Sequence, residues 1–108
     1  MPQVTISKPL TFYVDTPSVR VFQTFAGESL EKLDEYEAWD IITVLSQSTL
    51  TAHMSDTETI DIHSAMLTLS SEFKISTDAK KCLKALHGFP VSQMNVLMIG
   101  ILSVAFEV

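Results

Sequence analysis

The sequence predicts one α+β domain over residues 1–108, in which an N-terminal β-hairpin is followed by three or four helices, with a short C-terminal strand as an option. Three observations predict this fold class. Near the N-terminus, apolar and polar residues alternate with a period of two, which is typical of half-buried strands. From about residue 30 onward, apolar residues recur at helical spacing. The chain of 108 residues is long enough for one compact core and too short for two.

The predicted hairpin spans residues 3–25 and consists of two alternating segments. In the first, residues 4–14, Pro9 has no N–H to donate to a neighbouring strand and therefore marks an edge position or a bulge. In the second, residues 19–25, the alternation resumes after turn-forming residues. Because an isolated hairpin is marginally stable in water, we expect the helices to cover one of its faces.

The first helix is expected at about residues 30–45, with Ser29 as its cap and several acidic side chains in its first turns. Residues 46–53 are rich in Ser and Thr, which predicts a connection. Ser55 and Glu58 have the spacing of a capping box, in which each side chain accepts a hydrogen bond from the other residue's backbone N–H. A second helix is therefore expected to begin after Ser55.

Ser76 or Thr77 is expected to cap a third helix, which Gly88 and Pro90 end. Residues 91–108 are almost uniformly apolar in their central part. This segment fits a buried helix, a helix followed by a short strand, or an interface between subunits. Its apolar run is shorter than the roughly 20 residues that a membrane-spanning helix needs.

The formal net charge of −6 disfavours binding to nucleic-acid phosphates and to anionic membranes, so neither is expected as a direct partner. Cys82 is the single cysteine, which excludes an intrachain disulfide and favours a reducing compartment. The first residues have no basic segment followed by an apolar stretch, as a secretory signal would. We therefore expect a cytoplasmic protein.

No catalytic or metal-binding motif stands out. His53, His63 and His87 are separated by 10 and 24 residues, which matches neither the paired spacing of a zinc site nor a catalytic dyad on one helix. Cys82 lies on an apolar stripe and is expected to be a buried packing residue. We expect no enzymatic activity, no metal and no cofactor. A small enzyme would instead require a pocket that joins His53 or His63 to a carboxylate.

Six of the 13 acidic residues lie between residues 28 and 40, opposed there only by Lys32. Such a cluster is either a solvated helix face or a docking face for a basic partner. Trp39, in the middle of the cluster, is either a core residue or an exposed interface anchor. The candidate partner-binding residues are Glu28, Glu31, Asp34, Glu35, Glu37, Trp39 and Asp40.

The apolar C-terminal run offers a second candidate surface. Its methionines fit either the core or a deformable interface for a partner helix or a second subunit. The high apolar fraction favours self-association, so a homo-oligomer is expected. The candidate self-association residues are Met94, Leu97, Met98 and Ile101.

Over residues 3–73, the order of elements resembles the short tail-assembly chaperones of tailed bacteriophages. The resemblance lies in the pattern of a strand at residues 4–12, a strand at residues 19–25, an acidic helix, and a helix that contains Asp61 followed by Leu69. It implies a cytoplasmic, non-enzymatic protein that coats the tape-measure protein and helps to recruit tail-tube subunits. The alternative is a phage- or plasmid-encoded inhibitor that presents the acidic helix to the basic groove of a nucleic-acid-binding host protein.

Overall fold

The computed structural model describes residues 8–69 and 74–106, and this part of the chain is helical. The α+β prediction is wrong, because the described residues contain five α-helices and no strand. Residues 3–7 of the predicted hairpin lie outside the described residues. The α-helices are α1 (Pro17–Ala26), α2 (Glu35–Ser55), α3 (Ile62–Leu69), α4 (Thr77–Ala85) and α5 (Met94–Phe106), and 3₁₀ turns form at Leu10–Phe12 and Val91–Gln93.

Helix α1 occupies the place of the predicted second strand. Its start is encoded by Thr16 and Pro17, which the sequence analysis assigned to a turn. The Thr16 side chain accepts a hydrogen bond of 3.2 Å from the Val19 N–H, and Pro17 stands at the first helical position, where a missing N–H costs nothing. The same residues that suit a turn therefore begin a helix here.

The burial pattern of α1 has a helical period. Val19, Phe22 and Ala26 are buried, at spacings of three and four, whereas Val21 and Phe25 are exposed. The strand prediction placed Val19, Val21 and Phe25 on one face. It failed because Phe22, rather than Val21, supplies the core contact after Val19.

Helix α2 begins and ends later than predicted. Residues 27–34 form a loop, with Leu30 in the left-handed region at a φ of 58°, so Ser29 caps no helix. The Ser and Thr residues after position 45 do not break the helix, because the hydroxyls of Ser48 and Thr49 donate to carbonyls one turn earlier. The predicted capping box at Ser55 is also wrong, since Ser55 is the last residue of α2.

The later helices agree better with the sequence. Ser76 caps α4 as predicted, because its hydroxyl accepts a 3.1 Å hydrogen bond from the Ala79 N–H. In the first turn of α3, the Asp61 carboxylate accepts a hydrogen bond of 3.0 Å from the Ser64 N–H. Residues 94–106 form a helix throughout, so the optional strand is not formed up to Phe106.

The core lies where α2 packs against α3, α4 and α5, with α1 held on α4. Helix α5 also packs against the Leu10–Phe12 turn at Gly100. A Cβ atom on Gly100 would lie 2.8 Å from Leu10 Cδ1 and 2.9 Å from Tyr13 Cβ, so this close approach requires glycine. Within the ranges that the structure describes, none of the helices has the length and apolar character needed to cross a membrane.

Candidate docking groove between α2 and α5

Helix α5 contains no charged residue, yet one of its sides faces solvent. Val96 is 39% exposed and Ile99 is 55% exposed. A helix that is apolar on all sides is normally enclosed by other elements. The outer side of α5 is therefore an apolar surface without a covering element among the described residues.

The predicted self-association residues occupy the other side of α5. Met94, Leu97 and Ile101 are buried in the chain's own core and are not exposed to a second copy. Only Met98 reaches a surface, where it is half-buried. Residues that could contact a partner from α5 are thus Met98 and the exposed positions next to it, rather than the whole predicted set.

Helix α2 presents a second apolar surface beside α5. Tyr36, Trp39, Leu50 and Met54 are all exposed, and Leu50 has 55% of its surface accessible. These residues are separated by 3, 11 and 4 positions, each close to a whole number of helical turns, which places them along one side of the helix. We call this row of residues the α2 ridge. The second half of the ridge, Leu50 and Met54, lies beyond the helix end that the sequence predicts near residue 45.

Between the α2 ridge and α5 lies an open groove of about 590 Å³. Its walls come from both helices and from the 3₁₀ turn before α5. At Ser46 and Leu50 it meets a shallower hollow of about 350 Å³ that reaches Trp39. The larger groove is lined by Ser46, Thr49, Leu50, His53, Val91, Ser92, Met94, Asn95 and Met98.

The rings of Trp39 and Phe106 contact each other at one end of this groove. Their centroids are 4.8 Å apart and their planes are inclined by 32°. Beyond Phe106, a hollow of about 230 Å³ is lined partly by Asp34 and Glu35. This hollow shares no lining residue with the groove and adjoins it through the contact between Trp39 and Phe106. We call it the acidic end of the groove, and the part around His53 the neutral end.

Several acidic residues of the predicted docking face are occupied by hydrogen bonds to the backbone. Glu31 lies in the loop before α2 and accepts the Ser29 N–H at 3.0 Å. Asp34 and Glu37 form the capping box of α2, with distances of 2.7 Å from the Glu37 N–H to Asp34 and 3.1 Å in the reverse direction. These carboxylates stabilise local structure, and Glu28 lies exposed in the same loop.

The remaining acids are differently placed. Glu35 is exposed and makes no hydrogen bond or ion pair within the described part of the chain. Asp40 follows Trp39 on α2, and partial burial raises the pKa of its carboxyl, with further contributions from the negative charges of Asp34 and Glu37. Negative charge is therefore crowded at the acidic end of the groove.

The histidines form no catalytic arrangement with a carboxylate in the groove. His53 lines the groove, whose lining residues include no Asp or Glu. Outside the groove lining, His87 Nδ1 accepts the Ile62 N–H at 3.2 Å and its ring lies 4.6 Å from that of His63. Among the described residues, no group of three or more His, Cys, Asp or Glu side chains is arranged to hold a metal ion.

Cys82 is buried in the core, as predicted. Burial raises the pKa of its thiol to about 11, with smaller contributions from Glu37 and Asp78. The thiol is therefore protonated at neutral pH, and a buried thiol is a poor nucleophile.

Comparisons of this chain with protein-family models, with curated proteins and with solved structures found no match.

Proposed function

We propose that this protein is a non-enzymatic protein-binding protein whose groove between α2 and α5 receives the apolar side of a partner helix. The observation that carries this proposal is the apolar groove itself, which is lined by the exposed Leu50 of the α2 ridge and by the half-buried Met98 of α5. Contiguous exposed apolar surface on a soluble domain is typical of an interaction site.

The dimensions of the groove suit a helix. From Glu35 to His53, α2 rises by about 27 Å, which is the length of a helix of about 18 residues. Amphipathic helices bind in such grooves through apolar side chains three and four positions apart. Trp39 and Leu50 lie about three helical turns apart along α2 and would contact turns of such a helix that are about 16 Å apart.

A chaperone role is the form of this function that we favour. A protein that covers the apolar side of a partner helix keeps that partner soluble until it assembles, which is also what the resemblance to tail-assembly chaperones implies. The strand at residues 19–25 that contributed to this resemblance is helix α1, so the proposal depends on the groove and not on the resemblance. The buried free thiol of Cys82 supports a site of action in the reducing cytoplasm.

The rival function, an inhibitor that uses the acidic residues to dock on a basic host protein, has less support. Glu31, Asp34 and Glu37 are bonded to backbone groups of this chain, and Glu31 is not on the helix. A partner that competed for these carboxylates would have to replace the hydrogen bonds that cap α2.

Trp39 is the single tryptophan of the chain and lies in the groove, so its fluorescence reports on binding there. The probe is a synthetic helix of about 18 residues with Leu at positions three and four apart and uncharged Gln and Ser elsewhere. We expect it to shift the Trp39 emission to shorter wavelength as water leaves the ring. A peptide of the same composition, with Leu at every second position, is the control and should not shift it.

Two variants of this protein complete the test. Leu50→Asp places a charge in the groove and should abolish binding of the helical probe, and Leu50 is exposed, so the fold should persist. Val21→Asp changes a residue of similar exposure, 48%, on α1, outside the groove, and should bind as the unmodified protein does. The proposal would be overturned if Leu50→Asp and Val21→Asp lost the same amount of affinity for the helical probe, or if neither peptide shifted the Trp39 emission.

A further inference from the structure

Building on the helix-binding function proposed above, we propose that the occupant of the groove is a basic amphipathic helix of another protein, with its Lys or Arg side chains gathered at the acidic end of the groove. The inference names the charge of the partner and its direction in the groove. It depends on how charge is distributed around the groove, which the apolar surfaces alone do not determine.

The two ends of the groove differ in charge. At the acidic end, Asp34 and Glu35 line the hollow beyond Phe106, and Asp40 adjoins Trp39. At the neutral end, the lining is His53 with uncharged residues. A partner helix with positive charge at one end therefore matches the groove in only one direction.

The two helices that form the groove bring no cation to its acidic end. Neither α2 nor α5 contains a lysine or arginine, and Lys32 is the only cation between residues 28 and 40. The helix dipoles do not determine the sign either, since α2 begins and α5 ends at this end and their partial charges oppose each other. The side-chain carboxylates therefore set the local potential.

The crowding of carboxylates gives a physical reason for a basic partner. Asp40 carries a raised pKa because of burial and of the charges of Asp34 and Glu37. Cations from a partner would relieve this repulsion at the moment of binding. Glu35, which makes no hydrogen bond or ion pair within residues 8–69 and 74–106, is free to pair with them.

A second copy of this chain fits the groove less well. It would bring its own α2 and α5, which contain no lysine or arginine, to a surface that already has excess negative charge. Even in an antiparallel arrangement, each acidic end would meet only the His53 region of the other copy. We therefore commit to a different protein as the occupant and keep self-association as an outcome of the test.

The test uses four versions of the helical probe, all with the same Leu stripe. One is uncharged, one has a cluster of Lys at its N-terminal end, one has the same cluster at its C-terminal end, and one has Glu in place of Lys at whichever end proves active. Titration is followed by Trp39 fluorescence at low salt and at about 1 M salt. We expect one of the two Lys peptides to bind about tenfold more tightly than the uncharged peptide at low salt, and the Glu peptide to bind more weakly.

The variant Glu35→Lys, in the first turn of α2, should remove most of the advantage of the Lys peptide. Glu58→Lys is its matched control, because Glu58 is also an exposed acid but follows the opposite end of α2, which rises by about 30 Å from Glu35 to Ser55. Glu58→Lys changes the net charge by the same amount, so it should leave most of the advantage in place.

The outcomes separate this inference from the proposed function. If all four peptides bind equally, the groove binds helices but the basic partner is wrong. If both Lys peptides bind more tightly than the uncharged peptide by the same factor, the partner helix has no preferred direction in the groove and that part of the inference is wrong. If no peptide binds, the proposed function itself fails. If sedimentation shows a dimer that Leu50→Asp disrupts, a second copy occupies the groove and the inference is overturned.

Discussion

The hydroxyl of Ser76 donates a hydrogen bond of 2.5 Å to Oε2 of Glu37 while it accepts the Ala79 N–H at 3.1 Å. Glu37 is also the third residue of α2, and its other carboxylate oxygen accepts the Asp34 N–H. One carboxylate therefore links the start of α2 to the start of α4, across 39 positions of the chain. A residue that the sequence assigned to partner binding is instead part of the internal structure.

This relationship predicts that Ser76→Ala destabilises the protein by about 1–2 kcal/mol, because it removes a helix cap and the partner of Glu37 together. Urea unfolding measures the change in free energy. Ser55→Ala is the control: Ser55 is exposed at the end of α2 and makes no side-chain hydrogen bond within the described residues, so its removal should cost less than about 0.5 kcal/mol. If Ser55→Ala is the more harmful change, the helix boundaries described above are wrong.

Two capping-box patterns in the sequence show which helix boundaries can be predicted from local spacing and which cannot. Asp34 with Glu37 and Ser55 with Glu58 have the same spacing, and both sets of residue types are suitable. Only the first forms, because α2 continues past residue 45 to Ser55. Asp56, which follows the helix, adopts a left-handed φ of 55°. Local spacing cannot reveal that continuation, since it depends on α2 packing against three other helices.

The error at the N-terminus has a related cause. Residues 19–25 satisfy both a strand pattern and a helix pattern, because Val19 belongs to both and Phe22 adds the helical contact. The Thr16–Pro17 pair was the available signal for a helix start. By contrast, the Ser76 cap and the apolar character of α5 were predictable, since each is local.

The candidate site was predictable in part. Trp39 and the acidic end were named from the sequence, whereas Leu50 and Met54 were not, because a helix ending near residue 45 leaves them outside it. Extending α2 to Ser55 places Tyr36, Trp39, Leu50 and Met54 on one side of a single helix. The groove itself also needs α5 beside α2, which no local pattern specifies.

Gly100→Ala should destabilise the protein by about 1–3 kcal/mol, although alanine is the better helix former. The reason is the contact of a new Cβ with Tyr13 Cβ at 2.9 Å, an atom that cannot rotate away. Thermal or urea unfolding measures the effect. Ser103→Ala, on the same helix and half-buried, is the control and should be nearly neutral. Unchanged stability in Gly100→Ala would mean that the Leu10–Phe12 turn does not pack on α5 as described.

Asp40→Asn should stabilise the folded protein near neutral pH. The folded state raises the pKa of Asp40, so ionisation of this carboxyl is less favourable in the folded than in the unfolded chain. The cost is absent below the unfolded pKa and grows as pH rises through the raised pKa. We expect a gain of about 0.3 kcal/mol at neutral pH, typical of relieving like charges on a helix, and none at about pH 3.

Urea unfolding of both proteins at the two pH values measures this difference. Glu28→Gln is the control, because Glu28 is exposed in the loop before α2 and should show no comparable gain at neutral pH. A gain for Asp40→Asn that is equally large at acid pH would show that its cause is packing and not charge.

Phe106→Ala should change the environment of Trp39 without unfolding the protein. The Phe106 ring lies 4.8 Å from the indole and also lines the hollow at the acidic end. Its removal exposes the indole to water, so the Trp39 emission should move to longer wavelength, and stability should fall by about 1 kcal/mol from the lost aromatic pair. Phe25→Ala removes an exposed ring from α1 and should leave the emission unchanged. Trp39 is the only tryptophan, so the emission reports on this site alone. An equal shift in both variants would indicate a general loosening of the fold. No shift in Phe106→Ala would mean that the two rings are not in contact in solution.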